Sequence, residues 1–166
     1  MSLISKAGGL WSSKAGAVGF SSKSNDWSTP QEFYNKLDAK YGFTLDPCAT
    51  ATNAKCTTYF TEADDGLTKD WSGHTVFVNP PYGANIGDWL KKGLAESQKP
   101  NTVVVMLVPS RTDTKWWHNY VMKATEVNFV RGRLKFGGSK NAAPFPSAVV
   151  VFGTQVLPSM KPMERI

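Results

Sequence analysis

Cysteine is scarce, and its scarcity excludes two classes of protein. Cys48 and Cys56 are the only thiols in 166 residues. Two are too few for a disulfide-stapled scaffold, and no Cys or His beside them completes a tetrahedral metal site. They read as buried thiols with no metal. Long hydrophobic runs are missing too: no apolar stretch approaches the ~20 residues that span a bilayer. Residues 1–23 hold too many Gly and Ser, and too short an apolar run, for a secretory signal. A cytoplasmic protein without membrane attachment is the expectation. No Gly-x-Gly-x-x-Gly follows the first candidate strand, which disfavours a nucleotide-dependent dehydrogenase.

What is present is enough for one core. Hydrophobic residues make up 41% and aromatics 12% of the chain, which suits one globular domain and excludes disorder throughout. The net charge of +6 is unevenly spread. Residues 1–25 carry three Lys and no acid, residues 26–110 seven basic against ten acidic, and residues 111–140 seven basic against two acidic. The strongly basic segment points to a polyanionic partner, since phosphate contacts supply most non-specific nucleic-acid affinity. A solvated Lys/Arg face explains the same charges. Gly, Ser, Lys and Ala without a usable period mark residues 1–25 as a flexible basic arm, ahead of one domain over 26–153 and a tail over 154–166.

Strands and helices alternate along that domain. Thr29 suits an N-cap and Pro30 a first helical position, with Phe33, Leu37 and Tyr41 on one face and Gly42 ending the helix. Phe43-Thr44-Leu45-Asp46 reads as a strand stopped by Pro47, and 57–60 as another, followed by the turn Asp64-Asp65-Gly66. After the strand 75–78, Ile86, Trp89, Leu90 and Leu94 mark a helix. The unalternating run 102–108 reads as a strand buried on both faces. A helix over 116–123, an extended 126–130 and a last strand over 147–152 complete the order. This is an α/β layer structure with a mainly parallel sheet, in which ligands bind beyond the carboxyl ends of strands. Asp46 and Asn79 both fall at such ends. Trp116 and Trp117 are adjacent on a helix and point apart, so at most one is exposed.

Asn79-Pro80-Pro81-Tyr82 directly follows the apolar run Thr75-Val76-Phe77-Val78. Neither proline has an N–H, and both fix φ, so the chain leaves the sheet in a stiff direction. An exocyclic amine can donate its hydrogens to the Asn79 side-chain oxygen and to a Pro-Pro carbonyl while the Tyr82 ring covers the face of its base. The nitrogen is then presented to an electrophile. The constellation suits methyl transfer to a planar nitrogen; a Pro-rich turn that merely caps a strand is the plain alternative.

The motifs Asp26-Trp27-Ser28-Thr29-Pro30, Leu45-Asp46-Pro47-Cys48-Ala49, Asp64-Asp65-Gly66-Leu67, Asn79-Pro80-Pro81-Tyr82-Gly83, Val108-Pro109-Ser110-Arg111, Arg131-Gly132-Arg133-Leu134-Lys135-Phe136 and Ala143-Pro144-Phe145-Pro146-Ser147 stand in one order. In that order the chain resembles the phage-type DNA N-6-adenine methyltransferase (Dam) family, from residue 26 to residue 153. The resemblance implies a compact Rossmann-like class I methyltransferase fold with helices on both faces of the sheet. It also implies transfer of a methyl group from S-adenosylmethionine to adenine N6 in DNA, in a host cytoplasm if phage-encoded. The cofactor supplies the activated methyl, so no metal is required.

Carried onto this chain, Asn79 and the Pro80 carbonyl accept the N6 hydrogens and Tyr82 stacks on a flipped-out adenine. Thr29 at a helix start, Asp46, Cys48 and either Asp64 or Asp65, with Asp65 preferred, would hold the cofactor. Pro81, Arg131, Arg133, Lys135 and Lys140 would contact DNA, the two arginines by forking onto guanine or holding phosphate; a structural role in a strand turn is the alternative for Arg131 and Arg133. Many relatives have a glycine-rich loop after the first strand, whereas 48–53 contains no glycine. No separate target-recognition domain is visible, and a homodimer would supply extra surface for DNA. The same turn also serves enzymes acting on cytosine N4, RNA guanine or protein glutamine. A catalytically silent DNA-binding relative would bind DNA without cofactor.

Overall fold

Three apolar runs form the centre of the sheet, since strands covered on both faces have no polar side to show. The computed structural model describes residues 27–153 and 159–164. In chain order its elements are α1 (Gln31–Tyr41), β1 (Leu45–Asp46), β2 (Thr58–Tyr59), β3 (Thr75–Val78), α2 (Ile86–Glu96), β4 (Val103–Pro109), α3 (Lys115–Asn119), β5 (Glu126–Val130), β6 (Ser147–Phe152) and β7 (Ser159–Met163). They give one seven-stranded sheet of order β2-β1-β3-β4-β6-β5-β7. The pairs β1–β2, β1–β3, β3–β4 and β5–β7 are parallel, and β6 runs antiparallel to both its neighbours. The protein is an α/β fold with a mixed, mainly parallel sheet.

Helices cover both faces. On one, Phe33, Tyr34 and Leu37 of α1 pack with Phe77, Val105, Leu107, Val149 and Val151. On the other, Ile86, Trp89 and Leu90 of α2 and Trp117 of α3 pack with Val76, Val104, Met106, Val150 and Phe152. Alternate residues of β3, β4 and β6 serve opposite cores, which is why those strands tolerate no polar interior position. Each fully buried Leu, Val or Phe here contributes about 1.5–3 kcal/mol. Among the described residues no helix is long and apolar enough to cross a membrane.

Several boundaries differ from the sequence reading. Pro30, not Thr29, is the N-cap of α1, and no side chain caps that helix. Gly42 ends it as expected, in the left-handed region at φ 69°, with its N–H on the Asp38 carbonyl. β1 starts only at Leu45, because Thr44 turns its hydroxyl to the Thr75 amide and His74. The helix expected over 116–123 breaks at Tyr120 (φ −124°) into α3 and a single 3₁₀ turn. Strand β6 is not the last, since β7 pairs beyond it along β5. The basic arm at 1–25 lies outside the described residues.

One close approach ties the motifs together. A Cβ on Gly66 would fall 2.0 Å from the Pro47 carbonyl oxygen, so the Asp-Asp-Gly turn can lie against the Asp46-Pro47-Cys48 loop only without a side chain. Gly66→Ala is expected to destabilise the protein by about 1–3 kcal/mol through overpacking. A urea titration should show a lower midpoint with an unchanged slope.

Candidate active site

The site arises from the way the chain winds. From β1 it moves outward to β2, then crosses back to β3 on the other side of β1 and continues to β4. The winding direction therefore reverses between β1 and β3, and the crevice beyond their carboxyl ends is where ligands bind in such sheets. Asp46 ends β1 and Asn79 follows β3. Between them lies a pocket of about 190 Å³ lined by residues of four segments: 27–29, 46–55, Phe77 and 79–82. Thr29, Asp46, Cys48, Asn79, Pro80, Pro81 and Tyr82 all line it. Seven of the twelve predicted site residues thus meet in one place.

Asn79 has a defined orientation. Its Nδ2 donates to the Trp27 carbonyl at 2.7 Å and to Thr29 Oγ1 at 3.1 Å. A carbonyl only accepts, so the atom facing Trp27 must be the amide nitrogen. The Oδ1 is buried and has no hydrogen-bond partner. An unpartnered buried acceptor costs free energy and suits a ligand that brings a donor. The rigid Pro80-Pro81 exit holds the amide at the end of β3.

Asp46 is 4% exposed. Its Oδ1 accepts from the Cys48 amide at 3.2 Å and its Oδ2 from the Lys55 amide at 3.0 Å, pinning both ends of the loop that walls the pocket. Burial pushes its carboxyl up to about 6, opposed by those two amides. Burial also raises the Cys48 thiol, with the Asp46 charge adding to the shift. Without glycine, the loop closes by side chains: the Thr50 amide donates to Asn53 Oδ1 at 2.7 Å, and the Asn53 amide returns to Thr50 Oγ1 at 3.2 Å.

Tyr82 belongs to an aromatic group. Its hydroxyl donates to the Leu107 carbonyl at 3.2 Å, and its ring meets Phe145 and Phe136 edge-on at 5.4 and 6.1 Å. Trp27 lies near-parallel to it, with centroids 6.4 Å apart and planes at 30°. Burial raises the Tyr82 phenol, so it stays protonated and holds its carbonyl.

A sequence model of DNA N-6-adenine-methyltransferase (Dam) matches residues 19–155. The chain belongs to this family. It is similar to the DNA N-6-adenine-methyltransferase of Haemophilus phage HP1 (strain HP1c1), 31% identical over 106 residues, 63% of this chain and 61% of that one. It is also similar to the DNA N-6-adenine-methyltransferase of Escherichia phage T1, 29% identical over 110 residues, 65% of this chain and 45% of that one. The match thus spans about half the length of these curated relatives.

In this Dam-family chain Asp65 stands apart from the pocket lining. Its φ is +54°, and its buried Oδ1 has no partner. Asp64 differs, because its Oδ2 accepts from both the amide and the hydroxyl of Thr61 at 2.8 Å. A second, open depression lies nearby, between 49–51 and 61–63. Among the described residues no group of His, Cys, Asp or Glu is placed to hold a metal.

Arg131, Arg133, Lys135 and Lys140 are exposed and do not line the pocket. They sit on the excursion between β5 and β6, which leaves and re-enters the sheet at the pocket's edge because β6 runs antiparallel. Leu134, Phe136, Ala143 and Phe145 bury its two ends, and the Gly137 amide bonds the Ser28 carbonyl at 2.9 Å. Arg131 Nε pairs with Glu164 at 3.2 Å, and Arg133 donates to the Ala143 carbonyl at 3.4 Å. Trp117 is 4% exposed and Trp116 half-buried, so neither residue forms an open stacking platform.

Sequence reasoning gave no site role to Trp27, Ser28, Thr50, Asn53, Lys55 and Phe77, all of which line the pocket. For Trp27 there was a usable signal: a buried asparagine needs partners for its amide hydrogens, and Asp26-Trp27-Ser28-Thr29-Pro30 was already a motif. Lys55 carries no such signal, since it acts on Asp46 through its backbone.

Proposed function

We propose that this chain transfers the methyl group of S-adenosylmethionine to the N6 amine of adenine in DNA, on a Rossmann-like class I methyltransferase fold. One observation carries the reading: the buried, unpartnered Oδ1 of Asn79 at the switch point between β1 and β3, with its amide nitrogen fixed the other way. Asn79 Oδ1 and the Pro80 carbonyl accept the two amine hydrogens, which turns the nitrogen lone pair away from them. Tyr82 and Trp27 offer ring faces to the base, where stacking is worth about 1–3 kcal/mol. That offsets part of the cost of flipping the nucleotide out of the duplex.

The donor set around Asp46 fits the cofactor. Asp46 is a buried carboxylate able to pair with the methionine ammonium, and the amides that open α1, uncapped by any side chain, suit its carboxylate. Cys48 walls the methionine portion, and Asp65, with its free buried oxygen, suits the ribose hydroxyls. When bound, S-adenosylmethionine supplies an activated methyl group, and the residues of this chain position and desolvate. Pro81 touches the base's neighbourhood, and Arg131, Arg133, Lys135 and Lys140 hold DNA phosphates or base edges beside it. Arg131 must exchange Glu164 for DNA to do so. A second copy of the chain extends the DNA-binding surface, in the cytoplasm of the cell that holds the DNA.

The test is to incubate the purified chain with methyl-labelled S-adenosylmethionine and adenine-containing DNA, digest to nucleosides and separate them. Label is expected in N6-methyladenine. Label in cytosine, or in RNA or protein offered instead, would replace the acceptor and overturn the reading.

A further inference from the structure

The Trp27-Ser28-Thr29 turn does something the cofactor role of Thr29 does not account for. Asn79 has two amide hydrogens, and both are taken, by the Trp27 carbonyl at 2.7 Å and by Thr29 Oγ1 at 3.1 Å. Thr29 is 3% exposed, so water does not compete for its hydroxyl oxygen. The hydroxyl does not cap α1, although the residue lies at the helix start. Rotating the Asn79 amide by a half-turn would set Oδ1 against the Trp27 carbonyl, two acceptors within hydrogen-bond distance. That arrangement is excluded. Trp27 also contributes a ring beside Tyr82, so one turn touches both the amide and the aromatic wall.

We propose, on the basis of the methyl-transfer reading above, that Thr29 and the Trp27 carbonyl form a clamp that fixes Asn79 as a pure acceptor, making Thr29 a positioning residue for the reaction. The clamp works from a segment 50 residues away in sequence. It makes the site selective for a group that donates, an exocyclic amine, and closes it to a keto oxygen, which would meet Oδ1 lone pair to lone pair. It also explains why this position is asparagine in this chain: an ionised aspartate would set a second negative oxygen against the Trp27 carbonyl.

The clamp predicts a split between turnover and cofactor affinity. Thr29→Val keeps the shape and removes the acceptor, and is expected to lower kcat roughly 10- to 100-fold by loosening the amide. The cofactor role of Thr29 lies in the backbone amides at the start of α1, which Thr29→Val leaves in place, so cofactor Kd is expected to stay within about twofold. Thr29→Ser restores the oxygen and is expected to recover most of the turnover. Unchanged kcat in Thr29→Val, a parallel loss of cofactor affinity, or failure of Thr29→Ser to recover would each overturn the clamp. A wild-type chain that methylates no DNA adenine would instead overturn the reading beneath it, so the two failures are distinct.

Should Thr29→Val not fold, Asn79→Asp carries the test through its pH profile. In that variant only a protonated carboxyl can donate to the Trp27 carbonyl and still present an acceptor. The ratio of its kcat to that of wild type is therefore expected to rise about tenfold or more from about pH 8.5 to about pH 6. The other ionisable side chains of the pocket are Asp46, Cys48, Lys55 and Tyr82; they are common to both proteins and cancel in the ratio. A flat ratio would overturn the clamp.

Discussion

Replacing Asn79 by alanine is expected to lower kcat for DNA adenine methylation by about 10²–10³-fold, the usual loss when one aligned polar group of a reacting centre is removed. The size follows from what Oδ1 does. It is a buried acceptor of the pocket without a partner, so under the proposed reaction its contribution is realised when the amine arrives and not in the free protein. The amide also satisfies the Trp27 carbonyl, and losing that bond costs about 1 kcal/mol of stability. The variant should therefore fold, melt a few degrees lower, and bind S-adenosylmethionine nearly as well as wild type. Single-turnover kinetics with labelled cofactor separates the chemical step from binding. Full methyl transfer by a folded Asn79→Ala protein would remove Asn79 from the mechanism.

The fold was legible where chemistry is local. The runs 75–78, 102–108 and 147–152 read as strands from their unbroken apolar residues, and Phe33, Leu37, Ile86, Trp89 and Leu90 declare their helix faces by spacing. Gly42 ends α1 because its φ of 69° favours glycine. That Asn79 and Asp46 line one pocket was legible because ligands bind beyond strand ends in an α/β sheet, and the crossover between β1 and β3 brings those two ends together. The misses are non-local. Thr29 looks like a cap from its neighbours, but its hydroxyl faces Asn79, 50 residues on. Trp27 and Lys55 act through a carbonyl and an amide, which every residue owns and no motif marks. β7 pairs with β5, a partner that its own composition does not announce. The break at Tyr120 is a backbone departure to φ −124° within a stretch whose spacing is helical.

Acidification should act on Asp46 in two opposite directions, and the opposition is diagnostic. In the free protein its carboxyl is pushed up to about 6 by burial, against ~3.9 in an unfolded chain. Between those values the folded state binds more protons than the unfolded one, so stability falls as pH rises through this window. Asp46's contribution is fully present below the unfolded value and lost above about 6. At about 1.4 kcal/mol per tenfold change in proton affinity, the swing is about 3 kcal/mol at most. Cofactor binding runs the other way. If Asp46 pairs with the methionine ammonium as proposed, the ionised carboxylate is the form that does so, and affinity should be full at about pH 8 and weaken up to tenfold per pH unit below about 6. Asp46→Asn removes the titration while keeping an acceptor for the Cys48 amide, and turns its NH₂ toward the Lys55 amide. It should bind cofactor about 10- to 100-fold more weakly, with an affinity that no longer depends on pH. Calorimetric titration of the unreactive product S-adenosylhomocysteine from about pH 5 to about pH 8, beside urea melts of the free protein, measures both slopes. A wild-type affinity that stays level across that range would place the ammonium elsewhere and leave Asp46 as the pin of its loop alone.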